Sequence, residues 1–158
     1  MSRLSAHPGM VEPISLLASD GYRLAATRYA ACGRQKGNLI VAGATGVQQR
    51  FYRRFAEHAS AQGFNVLTLD YRGVGDSRPR SLKGFEMSYL DWGFQDLAAA
   101  VEFMADDLPL YWVGHSFGGH GLGLLPNHHK VSAAYCFGSG AGWAGWMPRA
   151  EALKVRLL

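Results

Sequence analysis

Leu110-Tyr111-Trp112-Val113-Gly114-His115-Ser116-Phe117-Gly118-Gly119-His120-Gly121 is the stretch whose reading decides the fold. Four apolar residues behind Pro109 run into Gly114-His115-Ser116-Phe117-Gly118, and a short helix-like segment follows to Leu125, ended by Pro126. The Gly-x-Ser-x-Gly pattern between a strand and a helix describes a sharp turn that exposes a serine hydroxyl. The glycines on either side let the two backbones approach closely around a residue held in an unfavourable conformation. With 20 Gly and 11 Ser in 158 residues, such a pattern arises by accident in roughly one chain in six, so the flanking sequence has to carry the reading.

Working outward, the chain alternates strands and helices. Residues 39–42 (Leu-Ile-Val-Ala), 66–69 (Val-Leu-Thr-Leu), 110–113 and 131–137 are apolar runs of the kind found in strands covered on both faces. Between them, residues 50–62 place Phe51, Phe55 and Ala59 four apart, which predicts an amphipathic helix closed by Gly63. Residues 92–106 align Phe94, Leu97, Val101 and Met104 on one helical face, and 116–125 form a third helix. Residues 71–88 are loop-rich. Strand–helix alternation at this spacing predicts right-handed βαβ crossovers and a parallel sheet. Upstream, residues 11–18 and 22–30 around Ser19-Asp20-Gly21 read as an antiparallel hairpin. The expected architecture is an α/β three-layer sandwich: a mostly parallel sheet with an N-terminal antiparallel hairpin. Residues 1–10 read as a flexible tail and 11–158 as one domain. Reactive groups in such sheets gather at the carboxyl ends of the strands. Ser116, the 43–46 loop and the 70–77 loop all fall there.

Composition narrows the class. Hydrophobic residues make up 48% and charged residues 18%, as in a globular chain. No apolar run is long enough for a membrane span, and Met1–Met10 lacks the apolar core of a signal peptide. Stable membrane insertion is not expected. The net charge of +4 is spread out, without the dense basic and aromatic patch that nucleic-acid binding requires. Two isolated cysteines, Cys32 and Cys136, suit a reducing compartment, and a cytoplasmic location is expected.

Two motifs extend the reading. Asp70-Tyr71-Arg72-Gly73-Val74-Gly75-Asp76-Ser77 lies about 40 residues before the elbow serine, and Gly114-His115-Ser116-Phe117-Gly118-Gly119 is the elbow itself. Together they resemble the D-x-R-G-x-G-x-S loop and G-H-S-x-G-G elbow of the α/β-hydrolase superfamily, in its serine aminopeptidase-like, monoglyceride-lipase-like branch. The likeness covers roughly residues 11–145. Gly43-Ala44-Thr45-Gly46 stands where most relatives carry H-G-x-G. The resemblance implies a serine hydrolase acting on a small-molecule ester, amide or thioester through an acyl-Ser116 intermediate. Backbone amides of Thr45 and Phe117 would hold the oxyanion, Gly114 and Gly118 would shape the elbow, and neither metal nor cofactor would be needed.

The same resemblance places the acid and the histidine of the triad after Ser116. Residues 138–158 hold one carboxylate, Glu151, and no histidine. The chain therefore reads as a partial α/β-hydrolase fold, truncated after the sixth strand, with its triad Asp and His missing. A catalytically dead homologue or a non-enzymatic binding module is the alternative. His115 and His120 read as structural, His58 as a surface residue, and His128 and His129 as lying at the far edge of the sheet. Adjacent histidines in a loop without a carboxylate do not make a metal site. Asp70, Arg72 and Asp76 read as a structural brace, with Asp70 acting through Arg72. Trp143 and Trp146 read equally as pocket lining or as core. A sheet edge left open beside 131–137 is expected to favour a homo-oligomer.

Overall fold

The computed structural model describes residues 9–140 and Pro148. The expectations for most of the 1–10 tail, and for Trp143, Trp146 and Glu151, fall outside the described residues. Six strands form one sheet: β1 (Val11–Leu17), β2 (Arg23–Tyr29), β3 (Gly37–Ala42), β4 (Phe64–Leu69), β5 (Leu110–His115) and β6 (Val131–Phe137). Their order is β1-β2-β4-β3-β5-β6. The hairpin β1–β2 is antiparallel and joins β4 antiparallel, while β4, β3, β5 and β6 are mutually parallel. The expected four-stranded parallel sheet with an N-terminal hairpin is the one observed. The path from β3 to β4 moves to one side of β3, and the path onward to β5 returns to the other. The strand order therefore reverses at β3/β5, which is where open α/β sheets place their ligand crevice.

Every residue of β3 is buried. Alternate side chains serve two cores, as the two-residue period of a strand requires. Ile40, Ala42, Leu67, Leu69 and Trp112 face one helical layer, and Leu39, Val41 and Val66 face the other. That pattern makes the three-layer sandwich. The first layer is a helix running from α2 (Tyr89–Asp91) through a π-helical stretch, Trp92–Leu97, into α3 (Ala98–Met104). The second is α1 (Arg53–Ala61).

Two helical faces differ from those the spacing predicts. Ala59 is buried, but Phe51 and Phe55 are 69% and 43% exposed. The face that meets the sheet is Tyr52, Ala56 and Ala59, one residue out of phase with the phenylalanines. Small alanines let α1 lie close to the sheet, and the bulky rings are displaced to its flank. In the long helix, Leu97, Val101 and Met104 are buried as expected, whereas Phe94 is 46% exposed. The wider π turn explains this, because it rotates the first half of the helix so that Trp92, Gly93, Asp96 and Leu97 face inward. The segment after Ser116 is also more broken than one helix. α4 spans only Phe117–Gly121, and a 3₁₀ turn, Leu122–Leu124, follows. Four glycines within residues 118–123 weaken a regular helix there.

Candidate active site

β5 delivers Ser116 directly into α4. Ser116 has φ 51° and ψ −112°, and it is the one non-glycine with positive φ among the described residues. That region belongs to glycine, and a serine held there stores roughly 1–3 kcal/mol of strain. The surroundings fix it from several sides. Ser116 N–H donates to the Phe137 carbonyl (3.0 Å), and Gly119 N–H and Ser139 Oγ–H both donate to the Ser116 carbonyl (3.0 and 2.9 Å). The buried indole of Trp112 donates to the Gly118 carbonyl (2.9 Å). A Cβ on Gly118 would lie 2.0 Å from the Ala42 carbonyl oxygen, and one on Gly114 would lie 2.7 Å from Gly118 backbone atoms. Both glycines therefore occupy positions where no side chain fits, as the sequence reading required of them.

Ala42 and Gly114 are register partners on β3 and β5, so the 43–46 loop and the elbow leave the sheet side by side. In that loop Val47 N–H donates to the Ala44 carbonyl (3.1 Å) across a turn in which Gly46 has φ 70°. Thr45 sits exposed on the turn. Phe117 is the first residue of α4. Among the described residues, neither the Thr45 nor the Phe117 amide donates to a loop or turn carbonyl.

Asp70 does not act through Arg72, contrary to the expectation. Its buried carboxylate accepts Gln49 N–H (2.7 Å), Asp76 N–H (3.0 Å) and Gln49 Nε2 (3.3 Å), which ties the loop after β3 to the loop after β4. Gly75, at φ 50°, passes so close that a Cβ would lie 2.4 Å from Asp70 Oδ2. Arg72 pairs instead with Asp96 (2.7 Å) and Asp20 (2.5 Å), and its guanidinium lies over the Tyr22 ring. Burial pushes the Asp96 carboxyl up, with its Arg72 hydrogen bonds pulling the other way. Asp20 is held below its usual range chiefly by its bond to Arg72. Burial works against the Arg72 charge, yet the two carboxylates outweigh it and raise the guanidinium above its ordinary value. These carboxylates are committed to architecture, and none of them is hydrogen-bonded to Ser116.

The histidines are placed much as expected. His115 lies beneath the elbow, 3.0 Å through Nδ1 from Tyr52 Oη and stacked on Phe137 with centroids 4.6 Å apart. His120, His58, His128 and His129 are exposed, and His128 Nδ1 faces the Leu125 carbonyl. No histidine or carboxylate meets Ser116 Oγ among the described residues. The sequence reading missed the supports: Tyr52, Tyr71, Trp112, Phe137 and Ser139. Neither an aromatic ring with a polar end, nor a backbone carbonyl, nor a lone serine carries a spacing that marks it as a hydrogen-bond partner of the elbow. Only the fold brings these groups to the elbow.

Comparison with known proteins agrees with this geometry. A family model described as "Serine aminopeptidase, S33" matches residues 33–153. Over 115 residues the chain is 30% identical to the monoglyceride lipase of Saccharomyces cerevisiae, spanning 66% of this chain and 35% of that protein. Its fold is similar to a thermostable carboxyl esterase from Bacillus coagulans (19% identity, TM-score 0.70, covering 93% of this chain and 49% of that one). It is also similar to a lidless α/β serine hydrolase from Xanthomonas campestris (19% identity, TM-score 0.68, covering 86% and 65%). The chain thus spans about a third to two thirds of the relatives it matches. With its elbow, crossover order and family match in agreement, it belongs to the serine aminopeptidase S33 family of the α/β-hydrolase fold.

Proposed function

We propose that this chain carries the nucleophile half of a serine hydrolase that cleaves a small-molecule ester, amide or thioester. Ser116 Oγ attacks the carbonyl carbon and forms an acyl-serine bond, and the alcohol, amine or thiol leaves. Water then hydrolyses the acyl-enzyme. The Thr45 and Phe117 amides hold the oxyanion at each tetrahedral stage, and α4 adds the positive end of its first turn. The observation that carries this reading is Ser116 itself, the strained serine between β5 and α4, fixed by Phe137, Gly119 and Ser139. Strained backbone of this kind clusters at active sites, where the surrounding structure holds it in place. A cytoplasmic setting fits the two-cysteine composition, and no described helix is long and apolar enough to cross a membrane.

A second reading has its own support. No base reaches Ser116 Oγ among the described residues, and an unassisted serine hydroxyl is a weak nucleophile. The chain is then a catalytically silent homologue, or a module that binds through its elbow pocket. Prolonged incubation with an alkyl fluorophosphonate, read by intact mass, separates the two. A single adduct that maps to Ser116 and disappears in Ser116→Ala supports the hydrolase. An unmodified chain that still binds the probe reversibly supports the binding module, and the hydrolase reading is then lost.

A further inference from the structure

Two buried tyrosine hydroxyls that the proposed chemistry leaves unused converge on one peptide group. The Gly43 carbonyl accepts from Tyr71 Oη–H at 3.0 Å. The Ala44 N–H, the other end of the same peptide, donates to Tyr52 Oη at 2.8 Å. Both rings are buried, at 1% and 6% exposure. With both ends of a planar amide held, its orientation is fixed. The next peptide is fixed as well, because the Ala44 carbonyl is engaged by Val47 N–H. In a trans amide the N–H points opposite to the C=O. The Thr45 N–H is therefore directed away from that turn.

Each tyrosine also reaches the elbow. Tyr52 Oη lies 3.0 Å from His115 Nδ1. The same oxygen that accepts the Ala44 N–H thus also makes the hydrogen bond to the imidazole beside Ser116. The Tyr71 ring meets Phe117 edge-on, with centroids 5.6 Å apart, and stacks on Trp92 at 4.8 Å. We propose that Tyr52 and Tyr71 are positioning residues that set the distance and direction between the Thr45 and Phe117 amides. They do so by tying the loop after β3 to the residues on either side of Ser116. This rests on the reading of Ser116 as nucleophile. It adds that the width of the oxyanion hole is set by side chains that never touch the substrate.

The test uses the full chain, ¹⁵N-labelled, as Tyr52→Phe, Tyr71→Phe, the double variant, and Tyr29→Phe. Tyr29 is a buried tyrosine in the same core as Tyr52, and its hydroxyl pairs with Thr68 rather than with the Gly43–Ala44 peptide. Loss of either hydroxyl should move the amide resonances of Thr45 and Phe117, and Tyr29→Phe should leave them in place. The rate of Ser116 modification by the fluorophosphonate should fall about tenfold in each single variant, a fraction of what deleting a whole oxyanion donor costs. The probe concentration giving half-maximal rate should stay unchanged. The double variant should lose little more than the stronger single, because both hydroxyls hold one peptide; two independent core defects would add. Unmoved resonances, additive losses, or wild-type modification rates in the Phe variants would overturn the proposal. A parent chain that never reacts removes the hydrolase reading instead, and the resonance shifts still decide whether the clamp exists.

Discussion

At the scale of single residues, the site is built by choosing unfavourable positions and closing off their alternatives. Ser116 occupies backbone that glycine would adopt freely, so stability and reactivity should separate at this position. Ser116→Gly should be more stable than Ser116→Ala by about 1–2 kcal/mol, the reverse of the usual order for these residues. Both lose the hydroxyl, and urea unfolding compares them directly; equal stabilities would mean that the strain is not real. Gly118 is the opposite case, where space rather than dihedral angle decides. Its missing Cβ is the gap through which the elbow meets the Ala42 carbonyl. Gly118→Ala should cost about 3 kcal/mol or prevent folding, the upper range for overpacking. The sequence shows these residues because the Gly-x-Ser-x-Gly pattern is local. Nothing local marks Tyr52, Tyr71 or Trp112, whose value to the site lies in where their polar ends arrive.

At the scale of elements, the loop after β4 and the π-helical stretch are fastened by one buried network. Arg72 N–H and guanidinium both meet Asp96, and Trp92 Nε1–H donates to the Arg72 carbonyl (3.0 Å). Taking Arg72 away leaves Asp96 buried and uncompensated. Arg72→Met should therefore destabilise the fold by about 3–5 kcal/mol. Arg72→Met with Asp96→Asn should recover part of that loss, which chemical denaturation of the three proteins would show. Asp20, at the exposed end of the network, sets a pH dependence. Its carboxyl is depressed below the ordinary 3.8, so its contribution is complete above that value and is lost as pH falls through the folded one. Asp20→Asn should be less stable than the parent at neutral pH by under about 1 kcal/mol, with the gap closing below about pH 4. A gap that widened in acid would contradict this assignment. The network also explains why helical phase was misread from spacing. A period of 3.6 puts Phe94 with Leu97, but the π turn that brings Asp96 to Arg72 inserts a wider turn between them. Likewise Phe51 and Phe55 satisfy the period of α1, yet the close approach of Tyr52 and Ala56 to the sheet excludes them. The parallel strands and the N-terminal hairpin were legible because they follow from connection length and turn residues. The phase of each helix depends on contacts made far away in sequence.

At the scale of the whole molecule, the described sheet ends on β6. After Val131 every residue of β6 is exposed, Tyr135 by 69% and Phe137 by 40%, although the strand is apolar and uncharged. On one face Tyr135 and Phe137, with Phe51 and Phe55 of α1, line an apolar groove of about 240 Å³. On the other, Ala133, Ala134, Leu122 and Val131 border a second opening beside α4. Beyond the register shift at Ser132, an edge strand with two apolar faces and no lysine or proline is a template for another strand. A second copy offers the same edge, and antiparallel β6–β6 pairing would extend the sheet across a twofold axis while covering both openings. The purified chain should therefore sediment as a dimer or larger species whose proportion rises with concentration. Tyr135→Lys puts a charge into the groove and opposite its own equivalent in the partner, where like charges repel. It should shift the distribution toward monomer. A parent chain that stays monomeric across the concentration series, or a Tyr135→Lys variant that associates as strongly as the parent, would show that this edge is not the contact.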